Sequence, residues 1–96
     1  MVRGNDAPLE AYGLIDGALL WRLKATHGLP LDFALERLAQ AKRVPTWDAF
    51  FRAARRDGAK VPRLVRELRF FVREAYAAEI AHILTARLEV ISREKG

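Results

Sequence analysis

Arginine stands at positions 63, 66, 69 and 73 of the run 60-KVPRLVRELRFFVREAY-76. Steps of three and four residues bring the four guanidinium groups to one broad side of a helix. A guanidinium keeps its charge at any physiological pH and offers a planar fork of donors, so such a ridge can hold phosphate or carboxylate oxygens two at a time. Arg52, Arg55 and Arg56 precede it on another helical stretch, with Lys60 in the connection. Together with Arg63, Arg66, Arg69 and Arg73 they form the candidate surface for nucleic acid or for an acidic partner. The charge balance of the whole chain points the same way. Its net +5 is concentrated between Arg37 and Arg73, where 11 basic residues face Asp48, Asp57 and Glu67 for a local +8, while residues 1–36 carry −2 and residues 74–96 carry −1. Thirteen of the 17 basic residues are arginine, the residue suited to phosphate.

Other chemistries find little material. The chain has no cysteine, one serine (Ser92) and two histidines (His27 and His82), and no spacing pairs a nucleophile with a base. No glycine-rich loop of the phosphate-cradling kind occurs. A metal site would need His27, His82 and carboxylates gathered from distant segments. No catalysis, metal or cofactor is therefore expected. Without cysteine there is no disulfide framework either, and a cytoplasmic home is the default. The opening MVRGNDAPLE lacks the apolar core of a signal peptide, and no apolar run approaches the roughly 20 residues of a membrane span, so no membrane is expected among the partners.

Ninety-six residues, 51% hydrophobic and 30% charged, suit one helical domain over 1–96 with a modest core. Between its punctuation marks the periodicity is helical throughout, with no strand pattern and no internal repeat. Asn5 or Asp6 is the candidate cap of a first helix with Pro8 in its first turn; Tyr12, Ile15, Leu19 and Leu23 carry it from about residue 6 to 27, and Gly28 stops it. Asp32 caps a short second helix on Leu35 and Leu38 to about Arg43, which Val44-Pro45 ends. Thr46 is the next cap, with Val44 and Phe50 placed as a hydrophobic staple, and Trp47, Phe50, Phe51 and Ala54 run to Asp57-Gly58. From Pro62 there is no further glycine or proline until Gly96. One long C-terminal helix to about Arg93, about 48 Å at the α-helical rise, is the natural reading.

The fold class expected is thus all-α: three shorter helices and one long one. The apolar stripe of the long helix starts on Val65, Leu68, Val72 and Tyr76 and rotates late in its course. Ile80, Ile83, Leu84, Leu88 and Ile91 are therefore read as an oligomer interface, on a helix end at about 77–96 that projects toward a second copy or a partner helix. Glu79, which falls within the stripe, belongs at the rim of the core or in an ion pair across that interface. Gly13 and Gly17, four apart in the first predicted helix, each cost about 1 kcal/mol against alanine and are read as a point of close approach.

Two families resemble the stretch around the second helix start. The run 26-THGLPLDFALE-36, followed by Phe50, is similar to a segment of alanyl-tRNA synthetases in which a turn leads into a helix. Gly28, Leu29, Asp32, Ala34, Leu35 and Leu38 resemble the start of helix two in ANTAR domains, which bind RNA. What unrelated families share here is helix–turn–helix geometry, and no functional residue is carried over. The functional expectation is a non-enzymatic binding module, a small regulator or accessory factor that meets DNA or RNA through phosphate contacts. The competing expectation is a homo-oligomeric adaptor or scaffold whose basic patch meets an acidic protein.

Overall fold

The structure, a computed structural model, describes residues 9–95. A single 3-10 turn, Leu9–Ala11, leads into strand β1 (Gly13–Ile15), helices α1 (Gly17–His27) and α2 (Leu31–Gln40), strand β2 (Arg43–Pro45), and helices α3 (Trp47–Arg56), α4 (Val61–Ala75) and α5 (Ala78–Lys95). The chain is mainly helical, as its periodicity requires. Two larger expectations about its elements need correction, and one smaller: α2 starts at Leu31 with Pro30, not Asp32, in the cap position, and it ends at Gln40 rather than near Arg43. The caps expected at Asn5 or Asp6, with Pro8, lie outside the described residues.

The first correction concerns Gly13–Ile15, expected to be helical. These residues pair in parallel with β2, Gly13 opposite Arg43, Leu14 opposite Val44 and Ile15 opposite Pro45. Helix α1 therefore begins only at Gly17, where the Asp16 carboxylate accepts the Ala18 N–H at 2.9 Å. Thr46 is the cap residue of α3, as expected, but its hydroxyl serves the other helix: it accepts the Gly17 N–H at 3.0 Å. Its carbonyl meanwhile accepts the Phe50 N–H of its own helix at 3.2 Å. The two helix starts are thus tied together side by side.

That register reveals an internal repeat where the sequence pattern had suggested none. The strand partners are 30 residues apart. So are Gly28 and Gly58, which end α1 and α3 at φ 70° and 81° in the left-handed region that glycine tolerates. The starts of α2 and α4 at Leu31 and Val61 share the spacing. Buried Leu20 and Trp21 correspond to Phe50 and Phe51, and buried Ala34 and Leu35 to Leu64 and Val65. The chain is two strand–helix–helix units followed by α5. Across the two units only Arg22/Arg52, Gly28/Gly58 and Leu38/Leu68 are identical, so the repeat is one of shape.

The second correction concerns the long C-terminal helix. It breaks at Tyr76, which takes an extended conformation (φ −106°, ψ 154°), and α5 turns back along α4. No glycine or proline marks the break. The Tyr76 hydroxyl donates to the Arg43 carbonyl at 2.7 Å, and its ring lies 6.2 Å from that of Tyr12. Folding back places Ile80, Leu84, Leu88 and Ile91, exposed by only 1%, 1%, 0% and 6%, in the chain's own core, with Ile83 half-buried. The open stripe that suggested an oligomer interface is absent, because α4 and α3 cover it. Residues 78–95 do not project. The Trp47 indole N–H secures the return by donating to the Leu84 carbonyl at 3.1 Å in the interior.

The core centres on Phe50, whose ring meets those of Trp21, Trp47 and Phe51 edge to face at 5.7, 5.8 and 4.9 Å. Trp21 is fixed in turn by its indole N–H, which donates to the Asp57 carboxylate at 2.7 Å across the end of α3.

This packing can be tested at two positions. A methyl group on Gly17 would run into the Thr46 carbonyl, the Phe50 N at 2.7 Å and the Phe50 Cβ at 2.9 Å, whereas one on Gly13 meets nothing within 4 Å. In urea unfolding, Gly17→Ala should lose about 1–3 kcal/mol or more, and Gly13→Ala should stay within about 0.5 kcal/mol of the parent. A stable Gly17→Ala protein would mean that the helix starts are not in contact. The second position is Tyr76, whose burial, aided by Tyr12, pushes the pKa of its phenol above the ordinary value. The folded state then keeps a proton that the unfolded chain sheds from about pH 10, so stability should fall as pH climbs above that point. Melting curves at rising alkaline pH should show a shallower decline for Tyr76→Phe than for the parent.

Candidate nucleic-acid interface

The eight cations of the candidate surface lie on the outer faces of α3 and α4, opposite the sides these helices bury. On α3 the inward positions are Trp47, Phe50, Phe51 and Ala54, which leaves Arg52 and Arg56 exposed and Arg55 half-buried at the flank. The Arg55 side chain enters a shallow cleft shared with Asp48, Phe51, Arg52 and Ile91 of α5. Its Nε is buried there without a hydrogen-bond partner among the described residues. Lys60 is exposed at the cap position of α4.

Helix α4 buries Val61, Leu64, Val65, Leu68 and Val72, so the arginines at 63, 66, 69 and 73 emerge on the far side. They are not equivalent. Arg63 lies 3.6 Å from Glu67 one turn along, and Arg69 reaches across to Glu89 of α5 at 2.9 Å. Arg66 and Arg73 are exposed and have no ion pair among the described residues. Arg73 borders a second shallow cleft with Ala78, Ala81, His82 and Thr85. Arginines of α3 and arginines of α4 share no cleft, hydrogen bond or ion pair among the described residues. The surface is two adjoining basic faces separated by the turn at Gly58, and α5 borders both.

The remaining polar residues singled out by type are dispersed. His27 is exposed at the end of α1, His82 is exposed on α5, and Ser92 is half-buried near the chain end. Glu79 is exposed, which puts it at the rim of the core. Among the described residues no three histidine, aspartate or glutamate side chains come together in a way that would hold a metal ion. None of the described helices is long and apolar enough to cross a membrane.

One surface feature was not anticipated from the sequence. Phe33 and Phe70 stand 47% and 60% exposed and line one groove between α2 and α4. Its signals were present: Phe33 sits among Asp32, Glu36 and Arg37 on the polar side of α2, and Phe70 is next to Phe71 on a helix whose period admits only one of the two to the interior.

No protein-family model matches the chain, nor does any curated protein or solved structure to a significant degree. What fold and site define is a helical protein of two strand–helix–helix units closed by a fifth helix, with a basic face on the second unit.

Glu89 sets how much of the ridge is available. Its contact with Arg69 is more than one-third exposed on both sides, and exposed pairs of this kind contribute about 0–1 kcal/mol. In urea unfolding, Glu89→Gln should therefore reduce stability by no more than that amount. A larger loss would show that the pair helps hold α5 on α4.

Proposed function

We propose that this chain is a non-enzymatic binding module that holds the phosphate backbone of DNA or RNA on the outer faces of α3 and α4, as a small regulator or accessory factor does. The observation that carries the reading is the group Arg52, Arg56, Lys60, Arg66 and Arg73. All five are exposed on adjoining helices, and none is ion-paired among the described residues. They fall in the segment that concentrates a local +8 on a chain of net +5. An ordinary solvated surface intersperses both signs, whereas a field of one sign attracts a polyanion and releases its counterions. Contacts of guanidinium and ammonium groups with phosphate carry no sequence information, so affinity resting on them is largely independent of sequence.

The test uses fluorescence anisotropy of a labelled duplex and a labelled single strand across a salt series. Binding should weaken steeply with salt. Arg66→Glu with Arg73→Glu should weaken it for every sequence alike and flatten the dependence of log affinity on log salt by roughly one unit for each phosphate left without its arginine. Wild-type protein indifferent to both strands at low salt would overturn the reading. If the same two substitutions then abolished a complex with an acidic protein, the ridge would be a protein-docking surface instead.

A further inference from the structure

The groove between α2 and α4 differs in character from the ridge beside it. Phe33 and Phe70 are its exposed apolar surface, with Phe71 and Ala75 beneath. Asp32 and Glu36 stand on the α2 wall and Glu74 on the α4 wall. None of these three carboxylates is ion-paired among the described residues. One Asp32 oxygen accepts the Phe33 N–H at 2.8 Å, which fixes the first turn of α2 and leaves the other oxygen open. Arg37 does not line the groove; its guanidinium lies over the Phe33 ring at 5.9 Å.

Two half-exposed phenylalanines are unexplained by the fold, whose core is complete without them. Their surroundings restrict what can cover them. The lining carries three carboxylates and no cation, and Arg37 sits over Phe33 at the rim. Phosphate strands and anionic lipid surfaces find no cation in the lining to hold them, and a neutral apolar ligand would leave the carboxylates unused. A cationic occupant with an apolar stripe satisfies both features. Carboxylates on both walls call for positive charge on both flanks of that stripe, the pattern of a basic amphipathic helix laid into a groove between two helices.

We propose that the α2–α4 groove is the docking site for a cationic amphipathic helix of a partner protein, whose apolar stripe seats on Phe33 and Phe70 and whose flanking lysines or arginines meet Asp32, Glu36 and Glu74. The lining of this groove includes none of the ridge cations. On α4 the two surfaces adjoin at Phe70, which lies one turn from both Arg66 and Arg73, and Glu74 and Phe71 carry the groove round toward α2.

The probe is a fluorescent synthetic helix of leucine and lysine, about four turns long, titrated with the full chain at low salt, beside a leucine–glutamate helix of equal length. The lysine helix should bind and the glutamate helix should not. Phe33→Ser with Phe70→Ser, and separately Glu36→Lys with Glu74→Lys, should each weaken binding at least about tenfold. All four side chains are exposed, so both variants should melt like the parent. Leu14→Ser with Val90→Ser, at the exposed apolar residues on another face, should leave binding intact. Failure of the lysine helix to bind, or binding that survives both groove variants, overturns the proposal. Loss of binding in the Leu14 and Val90 variant does so too, by moving the site. Sedimentation showing a wild-type dimer that Phe33→Ser with Phe70→Ser dissolves would also overturn it, with a second copy as the occupant.

Discussion

The contact on which the rest of the structure depends is the approach of Gly17 to Thr46. A threonine hydroxyl reaches across to the first N–H of α1 while the same residue's carbonyl starts α3. Helix starts leave backbone donors unsatisfied, and here one side chain meets that need for its neighbour. The geometry is available only because position 17 has no side chain. With the two helices joined at their origins, Leu20 and Trp21 are brought onto Phe50, and the aromatic cluster forms.

The second organising event is the reversal at Tyr76. An extended residue costs α4 its continuation, and the phenol hydroxyl gains the Arg43 carbonyl. The reversed α5 brings Ile80, Leu84 and Leu88 into the core as one buried row and adds the Trp47 indole bond. Burial of that size outweighs the few hydrogen bonds of one helical turn. The ridge depends on this reversal as well, since α5 covers one flank of α4, brings Glu89 to Arg69, and leaves Arg66 and Arg73 facing outward.

Helical character, the stops at Gly28 and Gly58 and the cap position at Thr46 were legible in the sequence, because each has a local cause in periodicity or backbone conformation. Of the glycine pair, Gly17 was legible as a close approach, although the contact is between backbones at two helix starts and Gly13 takes no part in it. What escaped was decided at a distance. Gly13–Ile15 lacks any alternation long enough to read as a strand, and it pairs only because β2 lies beside it. The break at Tyr76 has no punctuation, and the contacts that accompany it, the Arg43 carbonyl 33 residues earlier and the core that receives α5, are distant in sequence. The repeat was hidden because equivalent positions share burial and conformation while their residues differ. The arginines were legible as an outward face of α4, but the partners that divide them, Glu67 and Glu89, could be assigned only once α5 had turned back.

The Tyr76 hydrogen bond also bears on solubility. In a two-stranded sheet each strand has one edge open to a further strand from another molecule, a common route to aggregation. The register turns the backbone groups of Arg43 and of buried Pro45 away from β1. Pro45 has no N–H to offer there, and the Arg43 carbonyl is already occupied by the phenol. An incoming strand would find one acceptor taken and one donor missing within three residues. The residue that ends α4 therefore also blunts the edge of the sheet.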